Sequence, residues 1–241
     1  MLKKIVHILA AAAMTTVTAG TFASAQDEKV YLIDFVVMND GFDLKERNAY
    51  EAEIAPIAGD YGMAVIHSYN LTAHLSGTMS DAVRLNVWEL PSPSAMQAVI
   101  NDPRYAAGVP RRDEIHDMES LTLYMASSDE TGQQVADKPV LIDLVVLNEG
   151  QEAAARDAYE MKVASIAAKY GFEQVASFPV IQKIAGVGPE QPMRLNLWSL
   201  QDPAGMQKLG ADPEYVALEN ERNAIHDFSQ LTLFFGQARS E

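Results

Sequence analysis

The alternation of apolar and polar positions predicts four strands in the first half of the chain. Each segment is either continuously apolar and rich in β-branched residues, or alternates between apolar and polar side chains. The predicted strands are Tyr31–Met38, Ala64–Leu71, Val83–Leu90 and Leu121–Met125.

Apolar residues at helical spacing predict two helices between these strands. The first runs from Phe42 to Tyr61 and is followed by Gly62; the second begins near Ser94, and Pro103 restarts it as a further short segment. The resulting order, β-α-β-β-α-β, is the ferredoxin-like plan of the α+β class. Helices cover one face of such a sheet, so the bare face must be buried elsewhere.

The second half of the chain repeats the first. The segment LIDFVVMN at residues 32–39 returns as LIDLVVLN at 141–148, and RLNVW at 84–88 returns as RLNLW at 194–198. The repeat of about 100 residues is too long for a solenoid unit. We therefore predict two ferredoxin-like units, residues 26–126 and 140–241, joined by a polar linker at 127–139 that lacks hydrophobic periodicity. Packed sheet to sheet, they would form an α+β barrel within one chain.

A motif in the second helix of each unit carries a resemblance to a known superfamily. An Asp-Pro-x-Tyr sequence is followed seven residues later by Arg, at Asp102 to Arg112 and at Asp212 to Arg222. The chain resembles small uncharacterised families of the dimeric α+β barrel superfamily, here as a tandem fusion. More distantly, it is similar to NIPSNAP-like and antibiotic-biosynthesis-monooxygenase-like proteins. The resemblance implies a fold and leaves the activity open, because one fold supports many functions.

The first 25 residues have the pattern of a signal peptide. Lys3 and Lys4 precede an apolar stretch that is too short for a stable membrane span, and Ala23-Ser24-Ala25 fits the small-x-small cleavage rule. We expect a soluble periplasmic or secreted product that begins at Gln26. An uncleaved amphipathic anchor is the alternative.

Charge and cysteine content exclude several classes of partner and chemistry. The net charge of −15 provides no basic surplus for nucleic acid, and it disfavours binding to anionic lipid after removal of the signal peptide. The chain has no Cys, which excludes disulfides, thiolate metal sites and a catalytic thiol. The histidines show no metal-ligand spacing, so we predict neither a metal nor another cofactor.

Polar residues on the first and third strands of each unit are candidate ligand-binding residues. Strand alternation places Arg84, Asn86 and Trp88 on one face, and Asp34 on the neighbouring strand can pair with Arg84. If Leu85 and Val87 pack on the helices, this polar face lines the barrel interior between the units. An internal salt bridge that docks the two sheets is the alternative. The predicted ligand-binding set is Asp34, Arg84, Asn86, Trp88, Asp143, Arg194, Asn196 and Trp198.

His116 and His226 are the candidate catalytic residues. Each follows the second helix of its unit and precedes an Asp, and His is suited to proton transfer near neutral pH. Alternatively, each His could simply cap a helix end.

Three functions remain open from the sequence. The protein could bind a small, partly apolar molecule, or it could be a cofactor-independent monooxygenase- or isomerase-like enzyme with a His base. In the third case, side chains fill the barrel and the outer surface meets a protein partner. The chain is expected to be a monomeric pseudo-dimer or a homodimer.

Overall fold

The computed structural model of the protein describes residues 29–128 and 130–239. The predicted signal peptide lies outside the described residues. No helix within the described part of the chain is both long and apolar enough to span a membrane.

The first unit has the predicted order of elements, with capping groups that fix its first helix. Asp43 accepts hydrogen bonds from the backbone of Lys45 and Glu46, and the Glu46 side chain accepts one from the Asp43 backbone, which completes a capping box. Gly62 follows the helix with a φ of +76°, a left-handed conformation that glycine adopts readily. The elements are β1 (Val30–Val36), α1 (Leu44–Asp60), β2 (Ala64–Ser76), β3 (Arg84–Leu90), α2 (Pro93–Ile100), α3 (Pro103–Ile115) and β4 (Thr122–Ala126).

The second unit repeats this order, but its last helix is divided. Two short helices, separated at Leu218, occupy the place of α3. The elements are β5 (Val140–Val145), α4 (Ala153–Ala168), β6 (Phe172–Ala185), β7 (Arg194–Leu200), α5 (Gly205–Gly210), α6 (Pro213–Ala217), α7 (Glu219–Ile225) and β8 (Thr232–Ala238).

The eight strands form one closed antiparallel barrel. Their order around the ring is β1-β3-β2-β8-β5-β7-β6-β4. Each unit contributes four adjacent strands, and the units meet where β2 pairs with β8 and where β4 pairs with β6. The predicted fold class, two ferredoxin-like units closed into an intramolecular α+β barrel, is confirmed.

Apolar side chains from both units fill the barrel interior, so the predicted cavity between the sheets is wrong. Leu85 and Val87 point inward and are fully buried, together with Tyr69, Phe178 and Phe234. Arg84, Asn86 and Trp88 consequently face the helices. Alternation separates the two faces of a strand, but both faces are buried here, and polarity alone could not tell which one lies inside.

The strand register also corrects the predicted pairing of Asp34 with Arg84. Asp34 lies opposite Asn86, whose Nδ2 donates to the Asp34 carboxylate at 3.2 Å, whereas Arg84 lies opposite Val36. The second unit repeats this register, with Asp143 opposite Asn196 and Arg194 opposite Val145.

The predicted linker packs against the barrel. The carbonyl oxygen of Thr131 accepts from His67 Nε2 at 2.6 Å, and the Gln134 side chain accepts from the Ser68 backbone at 2.7 Å. Val135 packs on the core cluster of the barrel interior. The segment therefore has a fixed course, although its sequence shows no periodicity.

Candidate functional site

Each unit has a pocket between the outer face of its sheet and its helices. The first has a volume of about 180 Å³ and the second about 150 Å³. Equivalent residues line the two pockets, so the duplication preserves the site as well as the fold. The shared lining positions include Asp34/Asp143, Arg47/Arg156, Tyr50/Tyr159, Glu51/Glu160, Trp88/Trp198, Tyr105/Tyr215, Arg112/Arg222 and His116/His226.

Both candidate histidines line these pockets in one fixed tautomer. His116 Nδ1 lies 2.9 Å from the carbonyl oxygen of Arg112, and His226 Nδ1 lies 2.8 Å from that of Arg222. A carbonyl oxygen only accepts hydrogen bonds, so Nδ1 carries the proton and Nε2 is an acceptor. Nε2 has no hydrogen-bond partner among the described residues in either unit.

Burial keeps both imidazoles neutral. Desolvation lowers the pKa of His116 and of His226 to about 4, although the hydrogen bond to the helix carbonyl works in the opposite direction. Tyr50 packs edge-on against His116 with ring centroids 5.6 Å apart, and Tyr159 does the same to His226 at 5.2 Å. At neutral pH each pocket therefore presents one uncharged nitrogen acceptor. Each histidine can therefore cap a helix and act as a base, since Nδ1 bonds the helix carbonyl and Nε2 is available to accept a proton.

A buried ion cluster closes the first pocket beneath α1. Arg47 is paired with Glu51, one helical turn away, and lies 3.8 Å from Asp34. Burial raises the pKa of the Asp34 carboxyl, and the neighbouring Arg47 opposes the shift. In the second unit Arg156 bridges Glu160 and Asp143 in the same way, and burial raises the pKa of Asp143 to about 6.

Several polar atoms of these clusters are buried without a partner. They are Arg47 Nε, Tyr50 Oη and Glu51 Oε1 in the first pocket, and Arg156 Nε and Asp143 Oδ1 in the second. An unsatisfied buried polar group costs roughly 1–3 kcal/mol, and in native proteins such groups call for an explanation. A bound molecule or water that offers matching donors and acceptors would remove this cost.

The predicted ligand-binding residues fall into two groups. Asp34 and Trp88 line the first pocket, and Asp143 and Trp198 line the second. Arg84 is fully buried behind Glu51, where it donates to Asn48 at 2.7 Å and to Asn70 at 2.8 Å. The remaining residues also lie outside the two pockets: Asn86 and Asn196 are buried in the strand network, and Arg194 lines a separate cleft beside Asp157.

Sequence reasoning missed the charged residues on the first helix of each unit. Arg47 and Glu51 are almost fully buried, as are Arg156 and Glu160. The repeated pattern Arg-x-Ala-Tyr-Glu, at residues 47–51 and 156–160, is the signal that could have found them. Three ionisable or phenolic side chains on one helical face, kept in both copies, indicate a polar site under that helix.

The residues described here include no group of three His, Asp or Glu side chains that could hold a metal ion. Each pocket instead combines an apolar wall with a neutral imidazole, phenol hydroxyls and a buried ion cluster. Such a set can bind a small molecule, orient it through hydrogen bonds and exchange a proton with it.

A closed ring of eight strands, with helices outside and two equivalent units, defines the dimeric α+β barrel fold, here contained in one chain. The solved structures that resemble it include an anthrone oxidase-like protein, with a TM-score of 0.58 and 15% identity over 90% of this chain and 93% of that one. A mutant chlorite dismutase from Candidatus Nitrospira defluvii has a TM-score of 0.55 and 12% identity, over 88% of this chain and 92% of that one. A monooxygenase-like protein from Fusobacterium nucleatum has a TM-score of 0.54 and 8% identity, over 89% of this chain and 93% of that one. At these identities the likeness establishes the fold alone. No protein-family model and no curated protein matches the chain.

Proposed function

We propose that this protein binds a small, partly apolar molecule in the pocket of each unit and acts on it as a cofactor-free acid–base enzyme. The observation that carries the proposal is the pair formed by His116 Nδ1 and the Arg112 carbonyl, repeated at His226 and Arg222. This pair leaves Nε2 as an unprotonated acceptor at the wall of an apolar cavity.

The chemistry begins with removal of a proton from a carbon next to a carbonyl group. His116 Nε2 takes the proton, and the resulting imidazolium offsets the charge of the enolate in a site with a largely apolar lining. The unpartnered Tyr50 hydroxyl would donate a hydrogen bond to the enolate oxygen. Return of the proton to a different carbon completes an isomerisation.

Dioxygen as co-reactant would give the monooxygenase-like reaction. A methylene group then loses both hydrogens, one oxygen atom forms the new carbonyl and the other leaves as water. The names of the anthrone oxidase-like and monooxygenase-like fold neighbours support this class. Binding without turnover is the second candidate, and the low pKa of the histidines favours it, since a weak base removes a carbon-bound proton slowly.

Native mass spectrometry of the protein purified from its own host would identify the molecule that it carries. Oxygen uptake and product formation with that molecule would then be compared for the wild type and the His116→Gln/His226→Gln double variant. Turnover by the wild type alone supports the enzyme. Binding without turnover supports the carrier, and equal turnover by both proteins excludes the histidines as bases.

We further propose that the protein is exported and works in the periplasm or outside the cell. The charged, apolar and small-residue segments of the first 25 residues support export. The acidic composition suits a soluble product that stays off anionic membranes and nucleic acid.

A further inference from the structure

The two pockets differ in the number of arginines that surround the central glutamate. In the first, Glu51 Oε2 accepts from Arg47, from Arg84 at 3.3 Å and from Arg239 at 2.7 Å. Arg239 follows β8, so the second unit supplies a charge to the ion cluster beside the first pocket. In the second pocket Glu160 accepts from Arg156 and, at 2.6 Å, from Gln174.

One substitution between the repeats enlarges this difference. The helix motif reads Arg-Asn-Ala-Tyr-Glu at residues 47–51 and Arg-Asp-Ala-Tyr-Glu at 156–160. Asn48 accepts a hydrogen bond from Arg84 at 2.7 Å, and Asp157 forms an ion pair with Arg194 at 3.4 Å. The first unit thus uses a neutral partner where the second uses a carboxylate.

The charges of the two clusters consequently have opposite signs. The first cluster has three guanidinium groups (Arg47, Arg84, Arg239) and two carboxyl groups (Asp34, Glu51). The second has one guanidinium group (Arg156) and two carboxyl groups (Asp143, Glu160). The Arg194–Asp157 ion pair in the neighbouring cleft adds no net charge. The remaining arginine of each pocket does not change this balance, since Arg112 pairs with Asp113 and Arg222 with Glu219.

The wall of the first pocket holds a buried donor without a partner, the Tyr50 hydroxyl. Arg47 Nε is unpartnered as well, but so is the equivalent Arg156 Nε of the second pocket. Glu51 Oε1 is also unpartnered, but three guanidinium groups offset the charge of its carboxylate.

We propose that the two pockets are specialised: the first selects a small apolar carboxylate or a similar anion, and the second selects a neutral molecule. The inference rests on the proposed function in that both pockets must bind small molecules. Its physical basis is that opposite charge a few ångströms away, in a site of low dielectric, strengthens binding of an anion and leaves binding of a neutral isostere almost unchanged.

The two tryptophans of the chain allow each pocket to be measured separately. Trp88 lines the first pocket and Trp198 the second. In the Trp198→Phe variant, tryptophan fluorescence comes from Trp88 and reports on the first pocket. In the Trp88→Phe variant, it comes from Trp198 and reports on the second pocket. Benzoate and benzamide, titrated at pH 7.5, are probes of similar shape that differ in charge.

We expect benzoate to bind the first pocket at least about tenfold more tightly than the second, whereas benzamide distinguishes them little. Asn48→Asp and Asp157→Asn exchange the differing residue with almost no change in volume. Asn48→Asp should weaken benzoate binding to the first pocket, and Asp157→Asn should strengthen benzoate binding to the second pocket. Arg239→Gln is an independent variant that should weaken benzoate binding to the first pocket.

Three outcomes separate the proposals. A benzoate preference that follows the exchanged residues supports specialisation. Equal binding of benzoate by both pockets, or a preference that none of the three variants changes, overturns specialisation and leaves the proposed function intact. If neither probe alters either tryptophan, the pockets are not sites for small aromatic ligands, and both proposals fail for this ligand class.

Discussion

The Nδ1 atom of His116 donates a hydrogen bond to the carbonyl oxygen of Arg112, four residues earlier, at the end of α3. This contact ends a helix and orients a base at the same time, because the Nδ1–H satisfies a terminal carbonyl while the ring, with Nε2 unprotonated, lines the pocket. The same relationship between His226 and Arg222 closes the last helix of the second unit.

Replacement of both histidines should make the stability of the protein less sensitive to acid. Each His has a pKa of about 4 when folded, against 6.5 in the unfolded chain. Between these values only the unfolded state takes up the proton, so the contribution of each His falls by about 2–3 kcal/mol as the pH drops from 7.5 to 4.5. Urea unfolding of the wild type and of His116→Gln/His226→Gln across this range measures the effect.

The comparison with the double variant is needed because Asp143 makes the folded state more stable as the pH falls, whereas the histidines make it less stable. Its pKa is raised to about 6, so the folded state takes up a proton first and gains stability as the pH falls through that value. This contribution is common to both proteins and cancels in their difference. A difference in unfolding free energy that stays constant with pH would contradict the neutral, buried histidines.

Arg84→Met should destabilise the protein more than Arg194→Met. Arg84 is fully buried and joins Glu51, Asn48 and Asn70, so its removal leaves a buried carboxylate with less compensation, at a cost of about 3 kcal/mol. Arg194 keeps 16% of its side chain exposed and Asp157 keeps 48%, so removal of Arg194 leaves a carboxylate that water can solvate, and the loss should be smaller. Urea unfolding at pH 7 provides the measurement, and equal losses would contradict this placement of the two arginines.

Gly132→Ala tests whether the segment between the units is packed. Gly132 has a φ of +53°, and a Cβ there would overlap the carbonyl oxygen of Val175. Gly150→Ala is the matched control, because Gly150 has a φ of +80° and open space around it. Both variants lose about 1 kcal/mol from the left-handed backbone, and only Gly132→Ala should also displace the segment.

Hydrogen exchange at Ser68 and Ser177 reports this displacement. Their amides donate to Gln134 and Glu130 of the segment, so exchange should accelerate in Gly132→Ala and stay slow in Gly150→Ala. Unchanged protection in both variants would mean that the segment does not depend on the close approach of Gly132.

Export should shorten the chain by 25 residues. Cleavage after Ala25 would give a mature protein that begins with Gln26 and lacks Lys3 and Lys4. Intact-mass measurement of the protein from a periplasmic extract of its host would test this, with the protein made in the cytoplasm without secretion as the control. A periplasmic protein of full mass would support the uncleaved anchor instead.

Element order could be predicted from the sequence because each strand and helix has its own local pattern. The repeat of the motif at residues 32–39 also indicated two equivalent units, and hence closure of one sheet on the other. The direction in which Arg84 and Asn86 point was predicted wrongly. Alternation reveals two faces, and the polar face lies under the helices because Glu51 and Asp34 provide its partners there.

The site itself was only partly predictable for a related reason. His116 and Trp88 were identified as candidates, but the pocket that joins them is formed where α1 crosses β1 and β3, a relationship between elements that the sequence does not display. Arg239 is the clearest example, since it reaches Glu51 across 188 residues of chain. No local pattern links two such distant positions.

Enclosure of both pockets within one polypeptide also has a consequence for how they evolve. In a barrel assembled from two identical chains, every mutation alters both pockets at once. Here Asn48 and Asp157 are encoded at separate positions of one gene, so a mutation can change the ligand of one pocket while the other pocket keeps its original ligand. The duplication therefore permits two functions to diverge inside a single barrel.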